Sequence, residues 1–288
     1  MAGQIRPLNK DVKKAKMKAS EQFRATKNLK LVDTGASIKQ AAGTDPAARK
    51  SRNKQLTAEA AETMAALQEM FYARHQEKLL VILQGMDTSG KDGTINDVFG
   101  AINAMGLRVH SFKAPTTLEL ERDYLWRIHQ QVPLKGEIVV FNRSHYEDVL
   151  ITRIHGLIDE KECKRRYQQI ADFERMLAET GTVILKFFLH ISKDEQKQRL
   201  QDRLDDPDKH WKFDPQDLKE RQYWEAYQCA YEEAICKTDF DHAPWYVIPA
   251  DSKSQRNQLV ASIVAERMTA LKLKFPPAHP EYAKIKIV

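Results

Sequence analysis

Cysteine is scarce. The 288-residue chain holds three, Cys163, Cys229 and Cys236, without metal-ligand spacing. An odd count, with Cys229 and Cys236 seven positions apart on an expected helix, argues for thiols rather than a disulfide and predicts a reducing, cytoplasmic setting. Long apolar runs are also missing, and none approaches the ~20 residues that cross a bilayer. The opening MAGQIRPLNKDVKK lacks the apolar centre of a secretory signal. No internal repeat or low-complexity tract appears. What is there describes a globular protein: 42% hydrophobic and 30% charged residues, with a net charge of +6. A basic balance predicts a polyanionic partner without saying which.

Much of the excess lies in a polar stretch before residue 60, at Lys10, Lys13, Lys14, Lys16, Lys18, Arg49, Lys50, Arg52 and Lys54. Residues 1–55, with turns at 33–36 and 43–46, read as a basic extension with little core of its own. Residues 56–288 read as one domain. From Thr57 to about His75 the spacing of Ala61, Met64, Leu67 and Phe71 predicts a helix.

The segment Lys78–Gly93, KLLVILQGMDTSGKDG, carries the main signal. Leu79–Leu83 suits a strand buried on both faces. Gly85, Met86, Asp87, Thr88, Ser89, Gly90 and Lys91 then fit the G-x-x-x-x-G-K spacing of a phosphate-cradling loop. Glycines let the backbone turn tightly, so that successive N–H groups point at one anion. Lys91 adds a mobile charge, and the expected helix presents its positive N-terminus. Asp92 and Gly93 follow, so Asp92 stands where Ser or Thr usually helps hold Mg²⁺. Asp87, inside the loop, is the candidate for metal or acid–base work, because Mg²⁺ prefers oxygen ligands.

Strands and helices alternate thereafter. The pattern predicts a helix after the loop ending near Gly106, then a strand over 107–112. A helix over 118–132 with Leu118, Leu125 and Ile128 inward comes next, followed by a strand over 136–141. A helix over 160–180 leads to a strand over 182–190. Helices near 193–204 and 217–237, a strand over 245–248 and a last helix over 254–272 complete the chain. Such alternation predicts a parallel α/β sheet with helices on both faces.

Ligands of such sheets sit beyond the strands' carboxyl ends. The third strand ends there in Asn142, Arg143, Ser144, His145, Tyr146, Glu147 and Asp148. Arg143 can fork onto phosphate oxygens. Glu147 or Asp148 could hold a metal-bound water, and neutral Asn142 stands where an acid is common. After the fourth strand Lys193, Lys197, Arg199, Arg203, Lys209, His210 and Lys212 surround a break at Pro207, a pattern that suits a lid at about 200–218.

These three stretches resemble the polyphosphate kinase 2 family, closest to the class acting on nucleoside mono- and diphosphates (class III). The resemblance runs from about Leu67 to Ile287. It is carried by QGMDTSGKDGTI, by LWRIHQQVPLKGEIVVFNRSHYEDVL and by KFFLHISKDEQKQRL. It implies a thymidylate-kinase-like phosphate-loop fold. It also implies reversible, Mg²⁺-dependent transfer of the terminal phosphoryl group of inorganic polyphosphate to AMP and ADP. Mn²⁺ would be a substitute metal, GMP and GDP further acceptors, and a homo-oligomer, dimer or tetramer, the assembly. On this chain Asp87 would orient the metal and the acceptor phosphate, with Glu147 as a second metal residue. Lys91 would bind the transferring phosphoryl group, Arg143 would clamp phosphates, and Arg199, Arg203 and Lys212 would come from the lid. Asn142 would favour monophosphates. Lys113, Pro115 and Tyr124 lie in the segment expected to face the base. The alternatives are an ATP-dependent nucleoside monophosphate kinase and a polyanion binder without turnover. No nucleic-acid or membrane partner is expected.

Overall fold

A computed structural model of the chain describes residues 17–38 and 45–287. Lys10, Lys13, Lys14, Lys16 and the turn at Gly43-Thr44 lie outside the described residues.

Among the described residues five strands form one parallel sheet: β1 (Lys78–Gln84), β2 (Leu107–Ser111), β3 (Ile138–Asn142), β4 (Thr182–His190) and β5 (Trp245–Pro249). Their order is β2-β3-β1-β4-β5. β1 is central, with Leu80 beside Val139 of β3 and Ile184 of β4. Leu79 through Leu83 are fully buried, and each such side chain contributes roughly 1.5–3 kcal/mol relative to exposure. Their alternation serves two layers. Leu79, Val81 and Leu83 pack with Met64, Phe71, Val98 and Val260, whereas Leu80 and Ile82 pack with Ile128, Phe173 and Leu177. β1 is therefore a rigid post, and the phosphate loop is mounted on its end.

The longer helices among the described residues are α1 (Pro46–Arg74), α2 (Lys91–Phe99), α3 (Glu160–Glu179), α4 (Lys193–Asp205), α5 (Pro215–Arg221), α6 (Trp224–Thr238) and α7 (Lys253–Ala270). α1 and α7 cover one face, and α3 and α6 serve the other. No helix among the described residues is long and apolar enough to cross a membrane.

Several expectations need correction. α1 starts at Pro46, because the Asp45 carboxylate accepts from the amides of Ala47 and Ala48, at 3.1 and 3.0 Å. Residues that read as a turn are thus a helix cap. The helix after the phosphate loop stops at Phe99, and Asn103 caps a separate short turn at Ala104–Gly106. The helix expected over 118–132 is two single turns, Thr117–Leu120 and Trp126–His129. Asp123 interrupts it by accepting from the Leu125 amide at 3.0 Å, a local bond that competes with the helical ladder. Leu118 consequently faces solvent. The helix expected over 217–237 divides between α5 and α6 at Gln222-Tyr223.

The segment before α1 also contributes core. Leu31 and Ala36 are buried. Phe23 and Ala25 pair with β5, through Val247 N–H to Phe23 O and Ala25 N–H to Trp245 O, both at 2.9 Å. Leu31 N–H donates to Glu232, and Ser37 Oγ to Asp251.

Candidate active site

The loop at the end of β1 is held open by its glycines and by cations behind it. Gly85 has φ +152°, and a Cβ there would meet Leu189 O at 2.7 Å. Gly90 has φ +97°, and a Cβ there would collide with the Arg256 guanidinium. Thr88 also takes a left-handed conformation, φ 63°, which is strained for a side-chain-bearing residue and tends to be kept where geometry matters. Gly85 and Ser89 shape the loop without lining the cleft, while Thr88, Gly90, Lys91, Asp92 and Gly93 line it.

The loop carbonyls turn toward donors on other elements. Arg199 Nη1 donates to Thr88 O and Ser89 O at 2.9 and 3.3 Å. Arg256 Nη1 donates to Ser89 O at 2.9 Å, and Gln196 Nε2 to Asp87 O at 3.1 Å. α2 starts at Lys91, so its first-turn N–H groups, without intrahelical acceptors, face the cleft. Lys91 is buried, and its Nζ donates to Gly85 O at 2.8 Å. Burial, then the nearby Arg143 charge, lowers its pKa.

Parallel pairing of β1 with β3 places Leu83 beside Asn142, so the two strand ends face each other. Arg143, itself left-handed at φ 62°, donates Nη2 to Asp87 Oδ1 at 2.7 Å. Its Nη1 lies 3.9 Å from Glu147. Burial works against the Arg143 charge, but Glu147 and Asp87 outweigh it and hold its pKa above the ordinary value. Asn142 Nδ2 donates to Asp92 Oδ1 at 2.6 Å. The departure at position 92 and the neutral residue at 142 are therefore partners.

These groups open onto a cleft of about 680 Å³, lined by nine cationic side chains against five carboxylates. Lys113, Lys212, Lys253 and Arg256 line it and make no ion pair among the described residues. Arg203 also lines it, but donates to Asp217 Oδ2 at 3.1 Å and Lys212 O at 2.7 Å. Asp217 faces Asp87, and burial, then the Asp87 charge, raises its pKa to about 6.

Not every expected residue reaches the cleft. Pro115 and Tyr124 do not line it. The Tyr124 hydroxyl donates to Gln169 at 3.0 Å and its ring lies under Arg166, because the broken helix turns it toward α3. Ser111, Phe112, Lys113 and Ala114 line that side instead. Glu147 is outside the lining and faces Arg143. Arg199 lines the cleft, yet its terminal nitrogens are committed to backbone carbonyls of residues 88, 89, 250 and 251. It braces the loop from α4.

The lining residues missed in the sequence include Lys253, Arg256 and Asp217. The first two sit at the start of α7, just past the carboxyl end of β5. The strand-end rule applied to β3 would have found them there. Asp217 carried no separable signal in an acid-rich stretch that also holds Asp202, Asp205, Asp206, Asp208 and Asp214.

Among the described residues no group of three or more His, Cys, Asp or Glu side chains could hold a metal. Mg²⁺ commonly uses one or two carboxylates and completes its shell with water and substrate phosphates. Asp87, lining the cleft beside the loop amides, fits such a substrate-completed site.

The polyphosphate kinase 2 family matches residues 47–276. An AMP/ADP-polyphosphate phosphotransferase of Meiothermus ruber is 58% identical over 222 residues, covering 77% of this chain and 82% of that protein. An ADP-polyphosphate phosphotransferase of Rhodopseudomonas palustris is 43% identical, covering 77% and 81%. The crystal structure of a polyphosphate kinase 2 from Arthrobacter aurescens superposes with a TM-score of 0.82 at 43% identity, covering 91% of this chain and 93% of that one. Loop, strand order and relatives agree, and the chain belongs to the polyphosphate kinase 2 family of phosphotransferases.

Proposed function

We propose that this chain transfers the terminal phosphoryl group of inorganic polyphosphate to AMP and to ADP, giving ADP and ATP, and that it does so reversibly with Mg²⁺. The observation that carries this reading is the cleft's positive excess, nine cations against five carboxylates. Those cations lie on both sides of the phosphate loop. Lys253, Arg256 and Arg199 stand on the α7 and α4 side; Lys113 and Arg143 stand on the β2 and β3 side. A donor made only of phosphates is suited to the first side. An acceptor with a base is suited to the second, where Phe112 offers an apolar surface. The similarity to the AMP/ADP-acting relative supports both acceptors.

Phosphoryl transfer passes through a loose, anionic transition state, so catalysis is mainly positioning and charge stabilisation. In this reading the α2 N-terminus and Lys91 hold the transferring group. Arg143, oriented by Asp87, spans donor and acceptor phosphates. Asn142 meets the acceptor without adding negative charge. Asp87, together with substrate oxygens, would hold Mg²⁺, which would supply charge neutralisation. Glu147 orients Arg143 and is the weaker candidate for metal contact. GMP and GDP are further acceptors to test, and the homo-oligomeric state is open to measurement by light scattering.

The test is a pair of nucleotide-product assays with Mg²⁺ and long-chain polyphosphate, one starting from AMP and one from ADP, without ATP. ATP formed from AMP through ADP is the expected result. Phosphorylation of ADP alone would remove the reading of Asn142. No transfer from polyphosphate, with ATP plus AMP giving ADP, would overturn the donor assignment.

A further inference from the structure

Beneath the clamp lies a set of buried polar groups that the reaction does not touch. Lys186, on β4, and Glu174, on α3, are both fully buried and paired, Nζ to Oε2, at 2.5 Å. Lys186 uses its other two hydrogens on the Tyr146 hydroxyl at 2.9 Å and on Thr238 O at 2.7 Å. Glu174 Oε1 lies 2.9 Å from the Tyr146 hydroxyl and 3.3 Å from His145 Nε2. Thr238 Oγ1 closes the set, 2.9 Å from the Tyr146 hydroxyl, and accepts from Trp245 Nε1 at 2.9 Å.

A buried ion pair is a poor source of stability. Well-packed apolar residues of similar volume are often as stable or more so, whereas removing one partner alone is strongly destabilising. What such a pair does supply is directional bonding. Here the bonds end on His145 and Tyr146, which sit between Arg143 and Glu147 in the chain. The loop is anchored at its middle, with Arg143, which lines the cleft, on one side and Glu147, which faces Arg143, on the other. Ser144 adds a shorter tether, accepting from Gln84 Nε2 at 3.1 Å, which ties the same loop to the end of β1.

We propose that Glu174 and Lys186, together with the Tyr146 hydroxyl, are positioning residues that set the Arg143–Glu147 clamp against the phosphate loop. This rests on the reading of Arg143 as a phosphate clamp. The pair touches no substrate. It fixes where the Arg143 side chain starts, and a misplacement of ~1 Å at a reacting centre can cost about a hundredfold in rate.

Two variants test it. Tyr146→Phe removes one oxygen and keeps the ring. Glu174→Gln combined with Lys186→Met removes both charges at similar volume. Val264→Ala, buried in the opposite layer, is the control for lost stability without loss of positioning. Each is assayed for transfer from polyphosphate to AMP, with kcat and both KM values measured beside Tm. In both test variants kcat should fall about tenfold or more with KM values changed less than about threefold, the signature of an interaction needed for transfer rather than for binding. Val264→Ala should lower Tm and leave kcat. Tyr146→Phe that folds and keeps wild-type kcat overturns the proposal. So does a kcat loss that Val264→Ala matches at equal Tm. If the parent chain shows no transfer from polyphosphate, the functional reading fails instead, and the control identifies that case because it too is inactive.

Discussion

Replacing Asp87 by Asn separates catalysis from folding at one atom pair. The Asp87–Arg143 bond is 2.7 Å long, with the two side chains 22% and 40% exposed. Solvent screening at that exposure limits its contribution to stability to about 0.5–1 kcal/mol, or about 1–4 °C in Tm for a domain of this size. The catalytic cost is larger. The substitution leaves Arg143 with Glu147 at 3.9 Å as its remaining carboxylate and removes the charge proposed to hold Mg²⁺. Losing one preorganised electrostatic group of this kind raises barriers by about 3–4 kcal/mol, or roughly 10²–10³ in kcat. The assay is transfer from polyphosphate to AMP at saturating Mg²⁺, read beside a thermal melt. A rate within about threefold of wild type would refute the role given to Asp87. A fall in Tm well beyond about 4 °C would show that the pair holds the fold instead.

Asn142→Asp would place a carboxylate where an amide now donates to Asp92 at 2.6 Å. At close range and an effective dielectric near 20 this repulsion is about 4 kcal/mol, so AMP turnover should fall at least tenfold and recover in part with Asn142→Asp/Asp92→Asn. Lys253→Ala removes a cleft cation outside any ion pair among the described residues, and should raise the polyphosphate KM several-fold with little change in that for AMP. The pH dependence follows from Asp217, whose pKa lies at about 6. Below that pH it is neutral, takes a negative charge away from the donor path and releases Arg203. The wild-type polyphosphate KM should therefore fall as pH drops from 7.5 to 5.5 by roughly two- to fivefold more than in Asp217→Asn, in keeping with one screened charge; parallel profiles would count against it.

What could be read in the chain was local. The run Leu79–Leu83 and the spacing of Gly85, Gly90 and Lys91 announce a buried strand and its loop, because burial and turn geometry act on neighbours. Strand alternation then placed Asn142 and Arg143 beside that loop, although 56 positions separate Arg143 from Asp87. The failures have a common cause in side-chain bonds that periodicity does not register. Asp123 broke an apparent helix and turned Tyr124 away from the cleft. Asp45 turned an apparent loop into a helix start. Arg256 looks like an ordinary surface residue of an amphipathic helix until the fold carries it to Ser89 O. The commitment of Arg199 to four carbonyls could be seen only once β5 and the loop lay side by side.

The segment over 18–37 also covers an edge of the sheet. β2 and β5 are the two margins of the sheet, and the margin at β5 is closed by Phe23 and Ala25. Residues that a reading of composition would trim away thus act as a partial sixth strand. A chain shortened to begin at residue 56 would leave Trp245 O and Val247 N–H on β5 without these partners, an opening for intermolecular pairing. Such a chain should lose solubility as its concentration rises even with every cleft residue intact.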